Sequence, residues 1–237
     1  MSKTNGLLLG GSLKAAGITF YQKQGQMIAR SARSDERRSN TRGQFVQRQR
    51  MRHTTALWRM LRMAGPRFTG GKSAYARFAT LANRLPAVYV PCRGPLCGAS
   101  FLMPDMPVSD GSLAPMREWL GEVDGMAALL TSLKTNELGA DEGLWLYEAE
   151  QCVEGQRPTV RFGRGREVEV AEMVEHDGGL ALVGDEFGSD VKGWALVRVN
   201  GERCSTQSLV TRCTLYRQYT TEEALQEAAR SYGGLTE

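Results

Sequence analysis

Apolar and polar residues repeat with a helical period between residues 41 and 64. One side of this segment carries mainly apolar residues: Val46, His53, Leu57, Met60, Leu61 and Ala64. A narrow band on the other side carries four arginines: Arg48, Arg52, Arg59 and Arg62. Because Ser39 or Asn40 can cap the start and Gly65-Pro66 can end it, the pattern predicts a helix over about 41–64 with a core face and an arginine face.

A second apolar repeat predicts a helix over Lys72 to Leu85, with Thr69 as its cap and Pro86 as its end. Its apolar face contains Tyr75, Phe78, Ala79, Ala82 and Leu85. The two helices are therefore expected to pack as a helical hairpin in which the small alanines permit close approach. Arg77 and Arg84 lie on the opposite side of this helix, where they would extend the basic surface.

Before these helices, residues 18–32 have the pattern of a β-hairpin. Two strand-like runs flank Gln24-Gly25, where glycine accepts a positive φ. An isolated two-stranded hairpin is barely stable, so we expect it to pack on the rest of the protein or on another copy.

After Ala87 the pattern becomes strand-like and is interrupted by prolines and glycines. Strands are predicted at Ala87–Val90 and Ser100–Met103. Residues 113–138 are compatible with one or two helices, but Gly121 and Gly125 favour strands around Trp119–Val123 and Ala127–Leu133.

The last third has a clearer strand pattern, and Asn200-Gly201 favours a tight hairpin turn. The predicted strands are Leu144–Glu150, Thr159–Phe162, Glu167–Met173, Leu180–Val183, Trp194–Val199, Arg203–Val210 and Leu215–Tyr219. A short helix over about 221–232 follows, with Thr220 and Glu223 at capping-box spacing and Gly233 as its stop. The predicted fold class is α+β: a basic β-hairpin and helical hairpin, a mainly antiparallel sandwich- or barrel-like β body, and a short C-terminal helix.

Charge divides the 237 residues into two parts. Residues 1–85 contain 17 basic and 2 acidic side chains, whereas residues 86–237 contain 13 basic and 24 acidic ones. This asymmetry predicts a basic module over 1–86 and an acidic β-rich domain over 87–237. A basic module indicates nucleic acid, a membrane surface or an acidic protein as partner, or contact with the acidic part within one molecule or between copies.

Arginine is the residue that carries candidate chemistry here, because its guanidinium can fork two donors onto phosphate oxygens. The predicted phosphate-binding residues are Arg37, Arg38, Arg42, Arg48, Arg52, Arg59, Arg62, Arg67 and Lys72. Thr41, Gln44 and Thr55 share the arginine face and could donate further hydrogen bonds. Phe45 and Trp58 border that face, where they either stack on bases or contribute to packing. A solvated or acid-paired helix face is the alternative interpretation of the arginines.

Other chemistry has little support in the sequence. Gly70-Gly71-Lys72-Ser73 lacks the first glycine of a phosphate loop, since Pro66 stands in its place. The five cysteines lack zinc-ribbon spacing, and His176-Asp177 is a lone pair at a predicted turn. Arg161 to Arg166 is interpreted as a basic turn. We therefore predict no enzyme activity, no catalytic or metal site and no cofactor.

The start of the chain and its cysteines predict the compartment. MSKTNGLLLGG lacks the apolar core of a signal peptide, and no apolar run approaches the ~18 residues that a membrane span needs. Five scattered cysteines do not suggest a secreted disulfide framework. The expectation is a cytoplasmic protein without a membrane partner.

The opening of the chain, with FYQKQGQMIARS followed by SNTRGQFVQRQRM, resembles an uncharacterised family from Bacteroidota and their mobile elements. Its matching features are the turn Gln24-Gly25-Gln26, the segment Ser39 to Arg42 and the helix signature of Gln44, Gln47 and Arg48. The family's usual turn lysine and segment proline are missing here. The resemblance implies a basic N-terminal module joined to a β-sandwich-like body, and it implies no activity.

Two functions follow as hypotheses. The first is non-catalytic binding of nucleic acid, DNA or RNA, mainly through phosphates and with little sequence preference. The second is a structural or assembly protein, of phage (virion) or mobile-element origin, in which the basic module of one copy docks on the acidic body of another to form a homo-oligomer.

Overall fold

A computed structural model describes residues 13–15, 18–23, 26–31, 40–69, 73–139 and 141–235. The chain divides into two compact units, residues 1–39 and 40–237. In the first unit, β1 (Leu13–Ala15), β2 (Ile18–Lys23) and β3 (Gln26–Ser31) form an antiparallel sheet in sequence order. The predicted hairpin is confirmed, while its turn residues Gln24 and Gly25 lie outside the described residues.

Three α-helices are present among the described residues: α1 (Arg42–Leu61), α2 (Ala74–Ala82) and α3 (Glu222–Ser231). A 3-10 turn, Arg62–Ala64, extends α1 to the predicted end. The cap of α2 is Ser73, whose hydroxyl accepts from the Ala76 amide, and the prediction of Thr69 was wrong because its hydroxyl donates to the Asp110 carbonyl. Likewise Thr221, not Thr220, caps α3.

The second unit contains thirteen described strands, paired mostly antiparallel. They are β4 (Arg67–Phe68), β5 (Pro107–Asp110), β6 (Glu118–Val123), β7 (Met126–Thr131), β8 (Gly143–Glu154), β9 (Arg157–Phe162), β10 (Arg166–Val168), β11 (Val174–His176), β12 (Gly179–Val183), β13 (Lys192–Asn200), β14 (Arg203–Cys204), β15 (Gln207–Ser208) and β16 (Val210–Thr211). Within this set, β4 and β5 run parallel. The α+β prediction is confirmed, as are the strands β6 and β7 and the Asn200-Gly201 hairpin between β13 and β14.

In the second unit, two of the sheets and the helices α1 and α2 form three layers. The central sheet has the order β10-β8-β13-β14, with β9 on β8 and β16 on β13, and the outer sheet has the order β11-β12-β7-β6. Leu146 and Leu196 on one face of the central sheet pack against Leu129 and Leu182 of the outer sheet. Alternate residues on its other face pack against α1 and α2. The described part of the second unit therefore contains a sandwich of two sheets, and no closed barrel is present among the described residues.

Both faces of β13 are covered, which explains why its sequence is apolar almost throughout. Ala195 and Val197 point towards the helices and share one core with Leu57, Leu61 and Phe78. Residues on the two sides of position 86 thus fill the same core, and the predicted division at 86 lies inside the larger unit.

Two predicted strands, Ala87–Val90 and Ser100–Met103, are wrong. Both segments are irregular in backbone conformation and mostly buried. Side chains, and not a neighbouring strand, accept hydrogen bonds from three of their amides. Gln49 Oε1 accepts from the Val90 amide at 3.3 Å, His53 Nε2 accepts from the Phe101 amide at 3.0 Å, and Gln151 Oε1 accepts from the Leu102 amide at 2.7 Å. These three amides are therefore satisfied without a neighbouring strand.

Three further predictions needed correction. Leu215–Tyr219 is a 3-10 helix instead of a strand, and its Tyr219 carbonyl accepts from the Tyr89 amide. Only the start of Glu167–Met173 is a strand, because a 3-10 turn begins at Val170. Arg203–Val210 is divided among β14, β15 and β16, since β15 leaves the central sheet to pair with β5.

Candidate nucleic-acid interface

Helix α1 is fixed in place by its cap and its buried face. The Thr41 hydroxyl accepts from the Gln44 amide, so this predicted donor is used as the helix cap. Gly65 follows the 3-10 turn with φ of 74°, a conformation that glycine adopts without a steric cost. The buried residues of α1 are Phe45, Gln49, His53, Thr54, Leu57 and Leu61.

The arginines lie on the face opposite this buried side. At 100° per residue, the four central ones fall within a band of about 80°, and they span about 21 Å along the helix axis. All four side chains are exposed: Arg48, Arg52, Arg59 and Arg62. The predicted separation of a core face from an arginine face is therefore present in the structure.

At the N-terminal end of this face, α3 engages the arginines. Arg42 donates both terminal nitrogens to the carboxylate of Glu222, at 2.8 and 2.6 Å. This pairing raises the pKa of Arg42 and lowers that of Glu222. The Arg52 guanidinium lies 5.0 Å from the ring centroid of Tyr232, within cation–π range.

Arg48 is held by its own helix start. Its Nη2 donates to Asn40 Oδ1 at 2.6 Å, and its Nε donates to the Gln44 carbonyl at 3.3 Å. Asn40 in turn donates to the Gly234 carbonyl beyond α3. Arg48 is thus oriented while it remains exposed, a geometry that leaves part of its fork available to a ligand.

The C-terminal end of α1 is open. Arg59 and Arg62 have no hydrogen-bond or ion-pair partner among the described residues, and Met60 and Met63 beside them are 40% and 75% exposed. The prediction of Met60 as a core residue was wrong. The reason is that Tyr232 covers the helix flank at Phe45, whereas Met60 lies about 22 Å further along the axis.

The remaining predicted phosphate-binding residues lie elsewhere. Arg67 in β4 is half-buried, with its guanidinium 4.9 Å from the Trp145 ring centroid. Arg37, Arg38 and Lys72 lie outside the described residues. In α2, Arg77 pairs with Asp110 at 2.5 Å and so adds little to a free basic surface.

The two aromatic residues near the arginine face contribute to packing. Phe45 is 1% exposed and contacts the rings of Tyr89 and Tyr232. Trp58 packs among Phe68, Tyr75 and Phe78 with ring centroids 5.3–5.9 Å apart. Both rings are engaged within the fold, so the packing interpretation applies and base stacking by these two residues is not supported.

Buried polar residues of α1 were missed by the sequence reasoning. Gln49 accepts from the Val90 amide and His53 accepts from the Phe101 amide, so these two side chains hold one irregular segment each. Burial lowers the pKa of His53 to about 4, so its ring is neutral at physiological pH and Nε2 can accept. The sequence contains one indication of this role, the position of His53 among apolar residues on the core side of the helix. Arg50 also points inward, and its buried Nε has no hydrogen-bond partner in the described chain.

The other candidate chemistries are not assembled into a site. His176 and Asp177 contact each other at 3.4 Å, and Asp177-Gly178 is the predicted turn with φ of 47° and 77°. Within the described residues, no three metal-ligating side chains cluster, and the cysteines are free thiols. None of the described helices is long and apolar enough to cross a membrane.

Comparisons with known proteins give no relative for this chain: no family model, curated protein or solved structure matches it. The resemblance of residues 20–51 to the Bacteroidota family therefore stays a prediction.

Proposed function

We propose that this protein binds nucleic acid without catalysis, through contacts from the arginine face of α1 to backbone phosphates. The observation that carries the proposal is the ordered band of exposed arginines opposite the buried face of the helix. Because one side of α1 is fixed in the core, the four arginines leave the helix backbone at defined positions over about 21 Å. A solvated disordered tail would not have this property.

The two ends of the band differ in their availability. Arg42 is neutralised by Glu222, whereas Arg59 and Arg62 have no carboxylate partner among the described residues. We therefore expect Arg59 and Arg62 to provide the strongest phosphate contacts, with Arg48 and Arg52 next. Each contact would release counterions from the nucleic acid, which makes the affinity depend on salt.

Fluorescence anisotropy with labelled duplex DNA, single-stranded DNA and RNA over a range of salt concentrations tests this proposal. Replacement of Arg59 and Arg62 together by glutamine should reduce affinity at least tenfold at low salt. The slope of log K against log salt should fall by about 2, one unit for each phosphate contact removed. Sequence changes in the probe should have a much smaller effect, since phosphates carry no sequence information.

The matched control is the double replacement of Arg117 and Arg212 by glutamine. Both are exposed and lie outside α1, so the change in net charge is identical. An unchanged salt slope in the Arg59/Arg62 variant, or an equal loss of affinity in the control, would contradict the proposal. Absence of binding to all three probes at low salt would also reject it.

Assembly of copies is the alternative, in which the basic helix of one copy contacts acidic residues of another. The pairing of Arg42 with Glu222 shows that α1 can bind a carboxylate of the same chain. Mass measurement after nuclease treatment separates the two functions. Large species that dissociate at high salt support assembly, and a monomer at every concentration removes it.

A further inference from the structure

A partly enclosed cavity of 480 Å³ lies between the end of α2, the loop before β5 and the 3-10 helix at Leu215–Tyr219. Its walls are largely apolar and include Leu81, Leu85, Met103 and Tyr216. A volume of this size is sufficient for a small organic molecule. The cavity is separate from the arginine face of α1, since none of the residues that line it belongs to that helix.

Two opposite charges line this cavity without being paired in the described structure. Arg84 follows the end of α2 and Asp105 belongs to the loop, and neither side chain has a hydrogen-bond or ion-pair partner among the described residues. In contrast, Arg77 of the same helix is bound by Asp110 at 2.5 Å. Arg84 and Asp105 are both exposed, so each is accessible to a ligand at this cavity.

The backbone at Asp105 adds a second observation. Three described non-glycine residues have positive φ: Asp105, Asp124 and Asp177. Asp124 and Asp177 each precede a glycine in the tight turn of a hairpin, where positive φ is expected. Asp105 follows Pro104 in a turn outside any hairpin, and positive φ is usual at the turn residue that follows proline. This turn places Asp105 at the cavity.

We propose that the cavity binds a small zwitterionic molecule with an apolar side chain, of the class of free α-amino acids. Arg84 would bind the carboxylate through charge-assisted hydrogen bonds, and Asp105 would bind the ammonium group. The apolar side chain would contact Leu81 and Tyr216, which are partly exposed, and the small accessible part of Leu85. A neutral apolar ligand would leave both charges unpaired, and a simple anion would face the Asp105 carboxylate.

Calorimetric titration of the full-length protein with L-phenylalanine and L-leucine tests the proposal. N-acetyl-L-phenylalanine, which lacks the ammonium charge, and L-phenylalaninamide, which lacks the carboxylate, should each bind at least tenfold more weakly than L-phenylalanine. Asp105→Asn should reduce the affinity for L-phenylalanine by a similar factor while preserving the fold, because asparagine tolerates positive φ. In this variant the discrimination against the N-acetyl compound should disappear.

Arg84→Gln should remove the discrimination against the amide in the same way, whereas Asp124→Asn is the control for an aspartate with positive φ outside the cavity and should change nothing. Absence of binding by both amino acids at millimolar concentration would overturn the proposal. Binding that ignores both blocked compounds, or that is unchanged in Asp105→Asn and Arg84→Gln, would overturn it as well.

Discussion

At the scale of single residues, the buried His53 and the half-buried Glu118 have pKa values displaced in opposite directions. Burial lowers the pKa of His53 to about 4, since the charged ring would be desolvated, and the Phe101 amide donates to its neutral Nε2. Burial raises the pKa of Glu118 to about 8. The oxygens of the Glu118 carboxyl group accept from the Leu196 amide of β13 and from the Gln207 side chain, so Glu118 joins the outer sheet to two other strands.

These shifts give stability an opposite dependence on pH at the two sites. The unfolded chain binds a proton at His53 more readily than the folded protein, so the contribution of His53 is complete above about pH 6.5 and is lost as pH falls towards 4. The contribution of Glu118 is complete below about pH 4.5 and is lost as pH rises through 8. The free energy of unfolding is expected to vary with pH as the sum of these two contributions and those of the other ionisable groups.

Replacement of His53 by glutamine should isolate the histidine contribution. Glutamine retains an acceptor for the Phe101 amide but does not titrate. The fall in the free energy of unfolding between pH 6.5 and pH 4 should therefore be smaller in His53→Gln than in the unchanged protein, by about 3 kcal/mol, which is the contribution of His53. Urea unfolding at several pH values measures the difference between the two proteins. His176→Gln is the control, and its free energy of unfolding should fall between pH 6.5 and pH 4 as much as that of the unchanged protein. The same fall in His53→Gln would contradict the lowered pKa of His53.

At the scale of elements, residues 99–103 explain why some predicted strands were wrong. The apolar sequence of Ser100–Met103 predicts burial correctly, but it carries no information on what accepts the backbone hydrogen bonds. Those acceptors are side chains from distant positions, such as His53 and Gln151. By contrast, β13 and its turn were predictable because the apolar run and Asn200-Gly201 act locally.

Gln151 should therefore be critical for this segment. Its Oε1 accepts from the Leu102 amide and its Nε2 donates to the carbonyls of Ser100 and Thr159. Gln151→Leu would leave these buried groups without partners, and we expect a loss of about 3 to 5 kcal/mol in the free energy of unfolding. Gln47→Leu, on the exposed part of α1, should change stability by less than about 0.5 kcal/mol. Chemical denaturation compares them, and equal losses would refute this role of Gln151.

At the scale of the whole molecule, the arginine face was predictable from the period of α1, because four charges at helical spacing need no tertiary information. The cavity beside Arg84 and Asp105 was not, since its walls come from segments more than 100 residues apart in the chain. The charge asymmetry also suggested a separate basic module ending near residue 86. Packing does not follow that division, because Leu57, Leu61 and Phe78 share a core with Ala195 and Val197.

Two fragments distinguish these divisions of the chain. Residues 40–237 contain all four described hydrophobic clusters, so this fragment should fold and keep a cooperative thermal transition. A fragment of residues 87–237 would lack Leu57, Leu61 and Phe78, whose burial contributes roughly 2 kcal/mol each. That loss approaches the total stability of a typical domain. Circular dichroism and dye binding should show this shorter fragment without cooperative unfolding and with exposed apolar surface; a cooperative transition in it would establish residue 86 as a domain boundary instead.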